Sequence, residues 1–102
     1  MLDNLNSRTF SEHLHTMFRI LLPEKDPLPV ELIEVTELNY SSQVEQFSLL
    51  FRGPLAPQCE QQIQRIEHDK LGTFDLFLVP IGPDKEGMLY QASFNRFRGE
   101  NR

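Results

Sequence analysis

Apolar residues on both faces of one stretch, Phe74 to Pro83 (FDLFLVPIGP), constrain this chain more than any other feature. Successive side chains of an extended chain point to opposite sides. A strand with apolar residues on both sides has neighbours above and below it, and does not have one face in water. One face of this stretch carries Phe74, Leu76 and Leu78, and the other carries Phe77 and Val79.

A second stretch, Phe47 to Pro54 (FSLLFRGP), repeats this arrangement. Phe47, Leu49 and Phe51 share one face, and Leu50 lies on the other. We expect strands at these two places to form the middle of the fold. They predict a core and not a reaction, so the sequence does not state directly what the protein does.

The length of 102 residues and the hydrophobic content of 39% are typical of one small globular domain. We assign residues 1–95 to a single β domain and residues 96–102 to a flexible basic tail. The net charge is −5, to which the tail, with three arginines and one glutamate, contributes +2, so the domain carries −7. An acidic domain repels a phosphate backbone, which disfavours nucleic acid as a partner.

The sequence also predicts a cellular location. No apolar run approaches the roughly 20 residues that a membrane-spanning helix needs. The first ten residues lack the basic and apolar regions of a secretory signal. The single cysteine, Cys59, has no second cysteine for an internal disulfide, which agrees with a reducing compartment. We therefore expect a cytoplasmic protein without a membrane span.

Periodicity predicts one short helix followed by six strands. The helix covers residues 8–15, with Thr9 and Glu12 spaced as a capping box and with Phe10 and Leu14 on one face. The adjacent Leu32 and Ile33 interrupt the alternation of the second strand and predict either a bulge or burial on both faces there. The fold class is therefore mainly β: a small antiparallel six-stranded sandwich or partly open barrel with one N-terminal helix. The strands are predicted at about 16–22, 30–38, 45–53, 62–68, 73–80 and 88–94.

Three groups of residues have side chains that could form a metal or catalytic site. His13 and His15 diverge near a helix end and lack further metal ligands at a suitable spacing. Cys59 and His68 have the residue types of a nucleophile and a base, but Cys59 lies in a loop without a helix N-terminus to lower its pKa. Glu67, Asp69 and Asp75 flank the fourth-strand hairpin and could offer paired carboxylates, but Glu67 and Asp75 are better explained as outward-facing residues near Arg65. We predict no catalytic residue, no metal site and no cofactor.

The apolar second face is more informative than these groups. Either the helix and the opposite wall of a barrel cover it, or another subunit does. Large aromatic side chains in such a position suit a protein interface. The candidate interface residues are Leu50, Phe77, Val79, Leu89 and, in the tail, Phe97.

Several motifs along the chain resemble a family of small bacterial proteins that is known only as a domain of unknown function. The resemblance implies no catalytic residues. It also implies that similar proteins are encoded beside phage-tail-collar-like or tail-fibre-like proteins, which points to an accessory or structural part of an assembly. The motifs are Leu5 to Phe10, His13-Leu14, Phe18-Arg19, Phe47 to Pro54, Glu67 to Gly72, Phe74 to Pro83 and Tyr90 to Asn95.

Three functions of different classes follow as expectations. The first is a non-enzymatic structural or interaction module that binds another copy of itself or a fibre-like protein. The second is a small β-barrel that holds an apolar small molecule in its interior. The third is a small hydrolase that uses Cys59 or the carboxylates. The sequence favours the first.

Overall fold

A computed structural model of the chain describes residues 6–40, 44–56 and 61–97. One short helix precedes six strands, as the periodicity predicts. The strand bounds agree with the predicted ones within about three residues. The elements are α1 (Ser7–Ser11), β1 (Met17–Leu21), β2 (Leu28–Tyr40), β3 (Val44–Gly53), β4 (Gln62–His68), β5 (Gly72–Pro83) and β6 (Met88–Phe97).

The six strands form a closed barrel in the order β1-β2-β3-β6-β5-β4. Every neighbouring pair is antiparallel, and β1 closes the barrel by pairing with β4 as well as with β2. The prediction of a mainly β, six-stranded antiparallel fold is confirmed. Of the two predicted alternatives the structure adopts the barrel, and the barrel is closed.

Register shifts, or bulges, interrupt two of the long strands, β5 and β2. Gly72–Leu78 of β5 pairs with β4, and the rest of β5 pairs with β6 from Val79 onwards. Ile81 is the extra residue of a register shift between Pro80 and Gly82, and Gly82 takes a φ of 120° that suits glycine. In β2 the corresponding shift lies between Leu32 and Glu34, which confirms the predicted bulge.

The barrel interior is filled by the alternate, inward-pointing side chains of all six strands. On β5 these are the three residues predicted to be interior, Phe74, Leu76 and Leu78, each at most 4% exposed. Six phenylalanines, from α1 and from four of the strands, form a chain of ring contacts, in which Phe47 and Phe94 stack with centroids 4.4 Å apart. The other large interior residues include Ile20, Val30, Leu32, Leu49, Ile66 and Tyr90.

Helix α1 differs from its prediction at both ends. It begins after Asn6, whose side-chain oxygen accepts from the backbone N–H of Thr9, so Asn6 and not Thr9 is the N-cap. It ends at Ser11 because residues 12–15 form a turn that leads to β1, with His15 at a positive φ of 66° and its N–H bonded to the Leu32 carbonyl. The predicted capping box is therefore wrong.

Strand β6 continues to Phe97, whose backbone pairs with Val44. The first two residues of the predicted tail, 96 and 97, are thus strand, which corrects that boundary. Residues 98–102 lie outside the described residues, so the rest of the tail stays a prediction. Within the described parts of the chain, no helix is long and apolar enough to cross a membrane.

Candidate interaction surface

An apolar patch lies on the outer wall of the barrel, where β4, β5, β6 and β3 run side by side. Phe77 of β5 points outward and is 49% exposed, and Ile63, directly opposite on β4, is 66% exposed. Directly opposed residues of an antiparallel pair have Cβ atoms about 5 Å apart, so these two side chains are neighbours. They form the most exposed part of the patch.

The patch continues across the next two strands. Val79 lies two residues after Phe77 on the same face, and its cross-strand partner is Gln91 of β6, which in turn pairs with Leu50 of β3. Val79 and Leu50 are half-buried, so this row has a smaller apolar exposure than the Phe77 end. Gln91 places one polar side chain between them.

Leu89 and Ile81 complete the patch near the β5–β6 turn. Leu89 is half-buried, two residues from Gln91 on β6, and opposite Gly82. Ile81, at the register shift of β5, is 49% exposed. We define the outer apolar patch as Leu50, Ile63, Phe77, Val79, Ile81 and Leu89.

The structure brings together four of the five predicted interface residues: Leu50, Phe77, Val79 and Leu89. The fifth, Phe97, lies eight residues after Leu89 on β6, roughly 26 Å along an extended strand, and its side chain is outside the described part of the structure. The role of Phe97 in an interface stays a prediction. The remaining alternative, that the barrel and α1 bury the whole second face, does not hold for Phe77.

Two patch residues were missed by the sequence reasoning. Ile63 lies in a strand of otherwise polar outward residues, and its spacing of three residues from the buried Ile66, which places it on the opposite face, was the signal for it. Ile81 was missed because it lies beyond Pro80, the predicted end of β5. Period-two alternation alone would place Ile81 outside with Phe77 and Val79.

The carboxylates of the β4–β5 hairpin are engaged in ion pairs. Arg19 of β1 donates from Nε to Glu67 at 2.9 Å and from Nη2 to Asp69 at 2.8 Å. These two bonds raise the pKa of Arg19, and the bond to Glu67 has the larger effect. Arg65 lies 3.4 Å from Asp75, as predicted, and both side chains are more than half exposed beside the patch. Glu67 lies two residues from Arg65 on the outward face of β4, as predicted, but its ion pair is with Arg19.

The histidines diverge as predicted. The His13 ring packs against the ring of His68 with centroids 4.8 Å apart, whereas His15 lies 3.3 Å from a Glu31 carboxylate oxygen. Burial lowers the pKa of His68, and the charge of His13 lowers it further by a smaller amount. Within the described residues, no three His, Cys, Asp or Glu side chains are grouped so that they could hold a metal ion. Cys59 lies outside the described residues, so its pairing with His68 stays a prediction.

Comparison with known families matches residues 5–94 to a family described as a domain of unknown function (DUF6916). The match covers most of the chain, from before α1 through β5 and into β6 as far as residue 94. Comparisons with curated proteins and with solved structures find no match.

Proposed function

This chain belongs to the DUF6916 family, and we propose that it is a non-enzymatic interaction module that binds protein through the outer apolar patch. The observation that carries the proposal is the opposed pair Phe77 and Ile63, two large apolar side chains that are each about half exposed or more on the barrel wall. Contiguous apolar exposure on a soluble domain is typical of a binding surface.

The surroundings of this pair resemble an interface centre with a polar rim. Arg65 and Asp75 lie two residues from Ile63 and Phe77 on the same strands, and they form an exposed ion pair. Gln91 supplies an amide within the patch. A partner with an apolar centre would bury Phe77 and Ile63 while the charged pair stays at the edge, in contact with water.

A second copy of the chain is the partner that we propose first. A patch that contains its own apolar centre and both signs of charge can meet itself across a two-fold axis. The finer proposal is that the domain is an accessory subunit of a fibre-like or tail-like assembly. Its support is the resemblance of the motifs Phe47 to Pro54 and Phe74 to Pro83 to proteins encoded beside fibre-like proteins.

The test is the concentration dependence of mass, measured by light scattering on a size-exclusion column. We expect the wild-type chain to form dimers as its concentration rises, and Phe77→Ser with Ile63→Ser to shift it to monomer. Met17→Ser is the matched control, because Met17 is 48% exposed on β1, which lies across the barrel from β6. A wild-type chain that stays monomeric, or an equal effect of Met17→Ser, would reject self-association through the patch.

The fibre-like partner is tested separately: the genes beside this one are sequenced, and any fibre-like protein that they encode is co-expressed with the chain. Co-purification that is lost in the Phe77→Ser, Ile63→Ser variant and kept in Met17→Ser would support it. Co-purification that is equal in both variants would place the contact elsewhere and reject the patch.

The apolar-ligand alternative gains no support from the described residues. Phe10, Phe18, Phe47 and Phe51 are fully buried in the interior and are linked by ring contacts. A ligand would have to displace these rings. An interior site would show itself by a rise in thermal stability when a hydrophobic probe such as a fatty acid is added.

A further inference from the structure

The N-terminal segment, residues 6–16, is fixed to the barrel at two separate places. At its start, the backbone N–H of Ser7 donates to Glu45, and the Ser7 hydroxyl donates to Glu37. Between these places Phe10 is fully buried, with its ring 5.8–6.5 Å from the rings of Phe18, Phe47, Phe74 and Phe94. At its end, the segment meets His68.

His68 connects this end of the segment to the β4–β5 turn. Its Nδ1 accepts two backbone N–H groups, from Lys70 at 3.0 Å and from Leu71 at 3.2 Å. Its Nε2 lies 3.0 Å from the Thr16 hydroxyl, which itself donates to the His13 carbonyl at 2.6 Å. Because the Thr16 hydroxyl hydrogen is used in that bond, the hydrogen between the Thr16 oxygen and His68 Nε2 must be carried by Nε2.

Only the neutral imidazole can make this set of bonds. A protonated ring carries hydrogen on both nitrogens, and a hydrogen on Nδ1 would face the two backbone N–H groups that it now accepts. The ring is 4% exposed, packed between His13 and Phe18. Burial removes water that could otherwise stabilise the charge.

The charged groups around His68 do not offset this cost. His13, Arg19 and Lys70 all disfavour a positive charge on the ring, and only Asp69 favours it. The Asp69 carboxylate is bonded to Arg19 and is largely exposed. The surroundings therefore support the neutral form that the hydrogen bonds require.

We propose that His68 and His13 form a pH-sensitive latch, in which protonation of His68 releases residues 6–16 from the barrel end. A histidine with a lower pKa in the latched state than in the released state takes up a proton on release. Release is therefore favoured as the pH falls below the ordinary histidine value of 6.5. Withdrawal of Phe10 would expose the surrounding rings. None of these residues belongs to the outer apolar patch, so the proposal is independent of the proposed function.

The test is hydrogen–deuterium exchange of the full chain at about pH 7.5 and at about pH 5.5, on either side of the ordinary histidine pKa. We expect the protection factors of residues 6–16 to fall by up to about tenfold for each pH unit below 6.5, for one proton taken up. The central strands β3 and β6 should keep their protection. Unchanged protection of residues 6–16, or an equal loss in β3 and β6, would overturn the proposal.

Two variants separate the latch from other effects of acid. His68→Asn keeps an oxygen acceptor for the turn N–H groups but cannot be protonated, so the pH dependence of protection should disappear. His15→Gln is the matched control. His15 lies three residues before the buried Phe18 of β1, and its side chain pairs with Glu31 instead of His68. The His15→Gln variant should keep the wild-type pH dependence of protection. If that dependence disappeared in His15→Gln, the assignment to His68 would be overturned.

A measurement on the wild-type chain covers a failure of His68→Asn to fold. Nitrogen NMR of the imidazole should show hydrogen on Nε2 at neutral pH and a titration midpoint below 6.5. The same midpoint should govern the loss of protection in residues 6–16. A ring with hydrogen on Nδ1, or a titration that leaves the segment protected, would reject the latch.

Discussion

Arg52 of β3 donates from both Nε and Nη2 to one oxygen of Asp84, at 3.1 Å and 2.6 Å, and so fixes the β5–β6 turn to the neighbouring strand. The other Asp84 oxygen accepts the backbone N–H groups of Glu86 and Gly87. One carboxylate therefore shapes the turn and joins it to β3. This contact links the two stretches FSLLFRGP and FDLFLVPIGP, which are distant in sequence, at one end of the barrel.

The first prediction concerns the coupling between Arg52 and Asp84. Asp84→Asn keeps an oxygen for the two turn N–H groups but removes the nearer of the two carboxylate charges that Arg52 contacts, the other being that of Glu86 at 3.4 Å. We expect Arg52→Gln and Asp84→Asn each to lower the free energy of unfolding, and the double variant to lose less than the sum. Urea unfolding followed by circular dichroism measures all four chains.

The pair Arg65 and Asp75 is the matched control for that cycle. Its atoms are 3.4 Å apart, and the two side chains are 62% and 52% exposed. Exposed pairs of this kind are worth little, so the same cycle at Arg65 and Asp75 should be additive. Equal coupling at both pairs, or additivity at both, would contradict the role assigned to Arg52.

The second prediction is the effect of acid on this turn. The hydrogen bonds from Arg52 lower the pKa of Asp84 below its ordinary value of 3.8, and the backbone N–H of Glu86 lowers it further by a smaller amount. A carboxylate with a lowered pKa contributes stability that is present above its unfolded value and is lost as the pH falls through its folded value. The stability difference between wild type and Asp84→Asn should therefore shrink below pH 3.8.

The exposed loop carboxylate Asp26 provides the control for the acid experiment. Asp26→Asn should follow the wild-type chain across the same pH range. If the difference between wild type and Asp84→Asn were constant down to the acid limit, the carboxylate would not be the source of the stability.

The third prediction compares two glycines. A Cβ on Gly87 would overlap the carbonyl oxygen of Gly53 on β3, which cannot move without disturbing the sheet. Gly72 has open space around its Cβ position, but its φ is 85°. We expect Gly87→Ala to cost about 3 kcal/mol or more, and Gly72→Ala about 1 kcal/mol.

Asparagine distinguishes the two causes. It tolerates a positive φ better than alanine does, so Gly72→Asn should be more stable than Gly72→Ala. At Gly87 the overlap is steric, and asparagine should be no better than alanine. Urea midpoints of the four variants test this, and the reverse order at either position would refute the assigned cause.

Much of this fold could be predicted because alternation records which side of a strand is buried. Phe74, Leu76 and Leu78 were assigned to the interior from their spacing, and the adjacent Leu32 and Ile33 marked the bulge of β2. Closure was not predicted, because it depends on β1, a strand of five residues, reaching β4 across more than forty residues of chain. The helix cap was misjudged because Asn6 and Thr9 both have capping side chains, and only the geometry selects Asn6.

The candidate surface could be predicted only in part, for a related reason. Alternation placed Leu50, Phe77, Val79 and Leu89 outside, but it does not say how far neighbouring side chains cover each of them. In the structure Phe77 is the most exposed of these four, while the others are half-buried. Its neighbour Ile63 comes from β4, and that pairing depends on the register of the β4–β5 hairpin.

The last prediction compares two phenylalanines with opposite environments. Phe10 is fully buried among four other rings, whereas Phe77 is 49% exposed on the outer wall. Phe10→Ala leaves a cavity at the barrel end and should cost about 3–5 kcal/mol. Phe77→Ala should change the unfolding free energy by no more than about 0.5 kcal/mol in dilute solution, where the patch is free.

Phe10→Leu tests whether the cost of Phe10→Ala comes from the lost apolar volume or from the loss of the helix α1 itself. Leucine keeps most of the apolar volume, so this variant should lose less than about 1.5 kcal/mol. Urea unfolding at low protein concentration measures the three variants under the same conditions. A cost for Phe10→Ala as small as that for Phe77→Ala would mean that α1 contributes little to barrel stability, and the latch proposed at His68 would then have little free energy to control.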